Sequence, residues 1–379
     1  MTAPLQSSRQ PFLRLGLIGP VPPPNGGMAM QTAQLAQLLA GEGVTVELLA
    51  TNAPVRPAFV ARLPGLRAVV RLLPYLLAVW RLAGRVDVVH LMANSGWSWQ
   101  LYAAPVLWLC RWRCTPVIVN YRGGEAQAYF QQSWRRVKPS MARAAMVVVP
   151  SGYLKAVFDD FGQPTRVIPN IIDRELFQPR KQTRVGGTSE QAAPYTLVIT
   201  RNLEPIYGID TALKALARVL AVQPQVRLRI AGSGPAEAAL RALAQQLDVG
   251  HAVTFEGRLQ RPAVVALYAE ADAMVNPTTV DNMPNSVLEA MACGLPVVST
   301  NVGGVPHILR HENTGLLVPP NDEAALATAI LRLVGDEELQ QRLRSNSLAE
   351  VEQYTWANVG EQWLATYRTA GSAFGGVAA

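Results

Sequence analysis

Short apolar runs alternate with longer helical stretches twice over along this chain, and that doubled alternation constrains the fold more than any other feature. In the first half the predicted strands are Leu15–Ile18, Val44–Ala50, Val86–Leu91, Val117–Tyr121, Met146–Pro150 and Arg166–Ile168. Between the first two, Met28–Leu39 has helical apolar spacing and neither Pro nor Gly. Continuous apolar strands joined by helices imply a parallel sheet covered on both faces. The pattern then breaks at Arg180–Pro194 (RKQTRVGGTSEQAAP), which is polar and poor in large apolar residues, as a linker is. It resumes with Leu197–Thr200, Val226–Ala231, Val253–Glu256, Ala273–Asn276, Val297–Thr300 and Leu316–Val318, and with helices over Asp210–Val222 and Pro235–Gln246. The expectation is two doubly wound α/β domains facing a cleft: residues 1–180, a linker at 181–194, and residues 195–354. Ligands in such sheets bind beyond the carboxyl ends of the strands.

A length of 379 residues suits two cores, and 49% hydrophobic against 16% charged residues is a globular composition. Cys110, Cys114 and Cys293 have no metal-ligand spacing and read as buried or half-buried thiols in a reducing compartment. Met1–Gln10 lacks the apolar run of a signal peptide. The most apolar stretch, Val69–Leu82, is interrupted by Arg71, Pro74 and Arg81, and a spanning helix needs about 20 apolar residues. A cytoplasmic protein is expected. Its charge is lopsided: residues 1–185 hold 21 Lys/Arg against 8 Asp/Glu, and residues 186–379 hold 13 against 19. A basic first half points to an anionic partner, a membrane surface or a lipid-linked phosphate. No nucleic-acid motif accompanies it, so nucleic acid is not expected.

Three segments carry chemistry. The first predicted strand ends at Gly19-Pro20 and leads through Pro22–Asn25 to Gly26-Gly27 before a helix. Paired glycines there let backbone amides approach a phosphate or sugar oxygen, though a plain strand-to-helix turn reads the same way. The dinucleotide fingerprint G-x-G-x-x-G is absent, which disfavours a nicotinamide-dependent dehydrogenase. In the second segment, Thr200–Gly208 (TRNLEPIYG), Arg201 follows an apolar strand where a guanidinium could pair with a diphosphate. The glycine turn Ala231–Pro235 (AGSGP) is read as structural. The third segment, Asn276–Pro306, reads NPTTVDNMPNSVLEAMACGLPVVSTNVGGVP. There Asp281 lies in a loop, where it can accept from sugar hydroxyls. Glu289 lies within a helix, where it can hold the two ribose hydroxyls of a nucleotide. Between them the amides of Asn285, Ser286, Val287 and Leu288 fall at a helix N-terminus, suited to an anionic leaving group.

The strings VIPNIID, AGSGP and DNMPNSVLEAMACGLPVVSTNVGGVP resemble the retaining GT-B-fold glycosyltransferases of family 4, over nearly the whole chain. The resemblance implies two Rossmann-like domains, with a C-terminal helix (about 355–379, carrying Trp356 and Tyr367) returning to the first. It places Gly26 and Gly27 near the donor phosphates, Arg201 on the diphosphate, Glu289 on the ribose, and Asp281 near the transferred sugar. Three positions depart from the family pattern. Asp281 stands where Glu is usual, Tyr207 precedes Gly208 where Lys is usual, and Tyr121-Arg122-Gly123-Gly124 replaces a His-Gly pair. Arg122 then becomes the candidate for the missing positive charge. Retention by front-face attack is implied, with no Asp-x-Asp metal motif, so neither a metal nor another cofactor is expected.

The first domain is expected to hold a carbohydrate or lipid-linked acceptor, and His90 and Asn94 in His90–Gly96 (HLMANSG) are candidates to touch it. A structural, buried His90 fits the sequence equally. Leu66–Leu82 and Trp97–Arg113 are rich in Leu, Trp and Arg and read as helices resting on an anionic membrane, or as helices packed on the sheet with arginines outward. The functional expectation is a hexosyltransferase in cell-surface or exopolysaccharide assembly. The alternatives are a non-catalytic nucleotide-sugar-binding module and a sugar-nucleotide epimerase.

Overall fold

The computed structural model describes residues 13–23, 26–53, 64–179 and 194–375, with side chains omitted at 64–70 and 373–375. The linker expected at 181–194 lies outside the described residues except for Pro194, as do Pro24 and Asn25 of the early glycine loop. The chain divides into two compact units. The first comprises Met1–Val149, Val157–Val167 and Gln362–Ala379, and the second Pro150–Ala156 and Ile168–Glu361. Short pieces from before the linker therefore group with the second unit, and the end of the last helix groups with the first.

In the first unit the elements run β1 (Arg14–Gly19), α1 (Gly27–Gly41), β2 (Thr45–Ala50), α2 (Pro64–Ala83), β3 (Val88–Ala93), α3 (Ala104–Trp112), β4 (Val117–Tyr121), α4 (Ala126–Met141), β5 (Met146–Val149), α5 (Gly152–Asp160) and β6 (Arg166–Val167). The six strands form one parallel sheet ordered β2-β1-β3-β4-β5-β6. Every residue of β3 and β4 is buried, as expected of central strands covered on both faces. β3 lies two residues further along than the apolar run Val86–Leu91 suggests. Its ladder with β4 pairs Val89 with Val117 and Ala93 with Tyr121, and that pairing sets where it ends. Cys110 is buried, but Cys114 is exposed in a turn at φ 54°, because α3 stops just before it.

The second unit runs β7 (Thr196–Thr200), α6 (Ile209–Leu220), β8 (Arg227–Ala231), α7 (Glu237–Gln246), β9 (Val253–Gly257), α8 (Arg261–Glu270), β10 (Ala273–Asn276), α9 (Asn285–Ala292), β11 (Val297–Thr300), β12 (Leu316–Val318), α10 (Glu323–Gly335), α11 (Glu337–Glu350) and α12 (Trp356–Gly375). From Gln362 onward α12 belongs to the first unit. The second sheet is also six-stranded and parallel, ordered β12-β11-β10-β7-β8-β9. Its core is two-sided, as a period of two along each strand requires. Leu197, Ile199 and Val275 pack with Leu213 and Leu216 of α6 and Ile330 of α10, while Val198, Met274 and Val297 pack with Leu267 of α8 and Leu288 and Met291 of α9. Fully burying each such aliphatic side chain stabilises by roughly 1.5–3 kcal/mol. α6 shows why these stretches are helical. Ile209, Ala212, Leu213, Leu216 and Val219 fall on one face and all are buried.

In each sheet the chain reverses its direction of travel once. β7 lies between β8 and β10, and β1 lies between β2 and β3. The loops leaving β7 and β10, and those leaving β1 and β3, therefore flank the crevices where open α/β sheets take ligands.

Candidate functional site

Arg201 follows β7 directly, and Asn276 is the last residue of β10. The sequence separates them by 75 positions, but the β7–β10 pairing brings them together. Arg201 Nε donates to Asn276 Oδ1 at 3.0 Å, and Asn276 Nδ2 donates to Ser299 Oγ of β11 at 2.9 Å. The other arm of the guanidinium forms an ion pair with Asp281, and its plane lies 4.8 Å from the centre of the Tyr207 ring. Burial lowers the Arg201 pKa, opposed by the charges of Tyr207, Tyr268 and Glu289. A guanidinium stays charged under such a shift. Arg201 is expected on a diphosphate and Asp281 on a sugar. The fold pairs the two with each other, which fixes the arginine's orientation.

The Asp281 loop is held from several sides. Asp281 Oδ1 accepts from the Asn282 amide at 2.9 Å, and the Asp281 carbonyl accepts from the Gly304 amide at 3.0 Å. Gly303-Gly304 is required there. A Cβ on Gly303 would sit 1.9 Å from the Asp281 carbonyl oxygen, and one on Gly304 would sit 1.6 Å from that of Asn282. Two residues from before the linker complete the loop. Ser151 Oγ donates to Asn282 Oδ1 at 2.5 Å, and Asn170 Nδ2 donates to the Met283 carbonyl at 2.9 Å and to Asn285 Oδ1 at 2.7 Å. Asn170 is the Asn of VIPNIID, and nothing in that string signals this contact.

α9 begins at Asn285 with no acidic residue in its first turn, leaving its positive N-terminal end unneutralised by its own side chains. The Ser286 hydroxyl is buried and has no hydrogen-bond partner among the described residues. Val287 is a correction: its side chain is fully buried in the core and its amide donates to the Pro284 carbonyl at 3.2 Å, so both are committed inside the unit. Glu289, one turn on, accepts from the Tyr268 hydroxyl at 3.3 Å, and that hydroxyl shares a 2.6 Å hydrogen bond with Thr200 at the end of β7. Burial raises the Glu289 carboxyl to about 7, partly offset by Arg261, the Tyr268 hydrogen bond and Arg201. Tyr268 lies in α8, in a stretch whose sequence carries no functional signal. Tyr207 closes a short turn that is tied to the loop after β10 by hydrogen bonds from the Thr279 amide and hydroxyl to the Ile206 carbonyl.

In the first unit, Gly26 precedes α1 in an extended conformation (φ −132°, ψ 158°), and Gly27 opens the helix, whose first turn has no acidic residue. Among the described residues, a Cβ on Gly26 would meet nothing within 4 Å. Asn94 follows β3, with its Oδ1 accepting from the Ser95 amide at 2.8 Å. Arg122 follows β4, its amide donating to the Ala93 carbonyl at 2.9 Å, and burial lowers its guanidinium to about 10. His90 is the second correction. It is fully buried in mid-β3, where Nδ1 hydrogen-bonds the Tyr367 hydroxyl at 2.8 Å, Nε2 meets Asn120 Nδ2 at 3.1 Å, and Trp363 packs on the ring at 4.7 Å. Having no exposed surface, it anchors α12 on the sheet. Among the described residues no group of three His, Cys, Asp or Glu side chains is placed to hold a metal ion.

Two family models match consecutive stretches of the chain: Glycosyltransferase Family 4 over residues 25–176, and Glycosyl transferases group 1 over residues 185–349. An uncharacterized glycosyltransferase of Methanocaldococcus jannaschii is 33% identical over 164 residues, which are 43% of this chain and 42% of that protein. The chain spans about half the length of other curated relatives it matches. Two solved structures share its fold throughout. Sucrose-phosphate synthase from Thermosynechococcus elongatus superposes with a TM-score of 0.74 at 22% identity, covering 95% of this chain and all of that one. Anabaena HepE, solved with UDP-glucose, superposes with a TM-score of 0.73 at 20% identity, covering 94% and 99%. With two parallel Rossmann-like sheets, these matches and these neighbours, the chain belongs to the family 4 GT-B glycosyltransferases.

Proposed function

We propose that this protein transfers a hexose from a nucleoside diphosphate sugar to a carbohydrate or lipid-linked acceptor, with retention of anomeric configuration and without a metal ion. The observation that carries the reading is one rim of the second unit. There Glu289, the buried Ser286 hydroxyl, the start of α9 and the oriented Arg201 surround the carboxyl ends of β7 and β10. A carboxylate accepts from both ribose hydroxyls. A guanidinium and a helix N-terminus meet the two phosphate charges. Gly26-Gly27 and Arg122 are the first unit's candidate donor groups, and Asn94 its candidate acceptor group. The solved neighbour with bound UDP-glucose makes that compound the first donor to try.

The anomeric C–O bond to the diphosphate breaks while the acceptor oxygen bonds to the same face, and the acceptor proton passes to the departing phosphate oxygen. Front-face attack is favoured over a covalent intermediate because Arg201 and the Asn282 amide already engage the Asp281 carboxylate. Arg201 and the N-terminal end of α9 stabilise the leaving diphosphate where other enzymes use a metal. The basic first half favours an acceptor held at the cytoplasmic face of an anionic membrane, as in cell-surface or exopolysaccharide assembly.

The test is a thermal-shift screen against UDP-, GDP- and ADP-hexoses, followed by NMR of the product's anomeric proton with and without EDTA. A donor present at 100 times its Kd stabilises by roughly 2.7 kcal/mol. Retained configuration with EDTA-insensitive turnover supports the reading. Inversion overturns the mechanism, loss of activity in EDTA overturns metal independence, and binding without transfer or hydrolysis leaves a binding module instead.

A further inference from the structure

Helix α2 carries two apolar stripes. Tyr75, Val79 and Leu82 are buried, whereas Leu73, Leu77 and Trp80 are 62%, 48% and 37% exposed. Both sets recur at i, i+4 and i+7, and at about 100° per residue they lie on opposite sides of the helix. One stripe is buried in the first unit, and the other is exposed at its surface. α3 repeats the arrangement, with Val106 and Cys110 buried and Trp108 and Trp112, one turn apart, exposed. The two helices are neighbours: Tyr75 and Tyr102 are in ring contact at 5.3 Å, and the Arg113 guanidinium lies 4.9 Å from the Trp80 ring. Arg143 likewise covers Trp108 at 3.2 Å. The exposed stripes therefore form one face with cations laid across its aromatic rings.

The charged side chains on the helices that carry this face are of one sign. α2, α3 and α4 contain no Asp or Glu, and residues 64–146 hold eleven Lys/Arg against only Asp87 and Glu125. An apolar stripe on helices whose only charged side chains are cations complements a surface that offers apolar depth beneath dense negative charge. We propose that the α2–α3 face docks on an anionic lipid bilayer. Leu73 and Leu77 point toward the acyl chains, Trp80, Trp108 and Trp112 sit at headgroup level, and Arg81, Arg111 and Arg113 lie on lipid phosphates. Among the described residues no helix is long and apolar enough to cross a membrane, so the contact is lateral. The inference deepens the reading of a membrane-held acceptor and identifies the surface that would deliver the protein to it.

The test is sedimentation of the full chain with sucrose-loaded vesicles of phosphatidylcholine alone or with one third phosphatidylglycerol, together with tryptophan emission. Wild type is expected to bind only the anionic vesicles, shift its emission to the blue, and be released by 0.5 M NaCl. Arg111→Gln should weaken binding about fivefold, the worth of one basic residue near a charged membrane. A Leu73→Gln/Leu77→Gln/Trp112→Gln variant should lose vesicle binding while keeping its melting temperature and its response to nucleotide sugars, since these side chains are exposed. Equal binding to neutral vesicles, no binding to anionic ones, or wild-type binding by the triple variant would each overturn the inference. A dimer that the triple variant abolishes would assign the face to a second copy and overturn it too. Sugar transfer to a soluble acceptor by a protein that ignores vesicles would sink the docking face alone; vesicle binding without any nucleotide-sugar response would sink the transferase reading alone.

Discussion

Glu289→Gln should make this protein more stable and less able to bind its donor. Burial holds the Glu289 carboxyl at about 7 in the folded protein, against 4.5 for an unperturbed side chain. At about 1.4 kcal/mol per pKa unit the gap corresponds to roughly 3 kcal/mol. The sign follows from the raised value. Below pH 4.5 the carboxyl is neutral in both states and costs nothing. Between 4.5 and about 7 the unfolded chain ionises first and stability is lost; above about 7 the full cost is present. Glutamine keeps the shape and an acceptor for the Tyr268 hydroxyl and removes the charge. Urea unfolding of both proteins at several pH values between about 5 and 8 isolates the effect, because other titrating groups cancel in the difference. The variant should gain up to about 3 kcal/mol over wild type at the alkaline end and about 1 kcal/mol or less at the acid end. The same substitution should weaken nucleotide-sugar binding about tenfold or more, since hydrogen bonds to a charged acceptor are each worth about 1.5–3 kcal/mol. In wild type, donor affinity should fall about tenfold as the pH drops from one unit above that pKa to one unit below it. A variant no more stable than wild type at high pH, or a pH-independent difference, would refute the account of a carboxylate held against its hydration.

Arg201→Ala should lower turnover by about 10²–10³-fold while weakening donor binding less, if the cation acts mainly on the leaving group; an equal loss in both would mean simple anchoring. It also strands Asp281, so the protein should lose about 3 kcal/mol, partly recovered in the Arg201→Ala/Asp281→Ala double variant. Gly26→Ala should leave the melting temperature unchanged, because its φ of −132° suits alanine and a Cβ meets nothing within 4 Å among the described residues. Its donor affinity should still drop where a phosphate approaches that backbone, and unchanged affinity would remove the turn from the site. His90 sits at about 3, lowered by burial and then by Arg122, so its neutral form contributes stability present above its ordinary 6.5 and lost as pH falls toward 3. Its ring-proton signals should not titrate between about pH 5 and 8, and a midpoint in that range would contradict the buried Tyr367 contact.

Much of the fold was legible because it rests on near-neighbour properties. Strand after strand is a short β-branched run bounded by polar or glycine turns, and α6 shows its core face in spacing alone. The stretch from Asp281 to Gly304 also announced itself, since a loop carboxylate, a helix start and paired glycines lie within one segment. What the tertiary structure decided is which distant residues meet. Arg201 pairs with Asp281 because β7 lies beside β10, and that order of strands is set by burial of whole faces rather than by any local run. Tyr268 reaches Glu289, and Ser151 and Asn170 brace the Asp281 loop across more than a hundred residues, through contacts without a sequence period. For His90 the sequence leaves a substrate contact and a buried structural role equally open; Tyr367, 277 residues away, decides for the buried anchor. α2 shows the same division: its apolar residues were evident in the sequence, but only packing decided which stripe meets the sheet and which meets solvent.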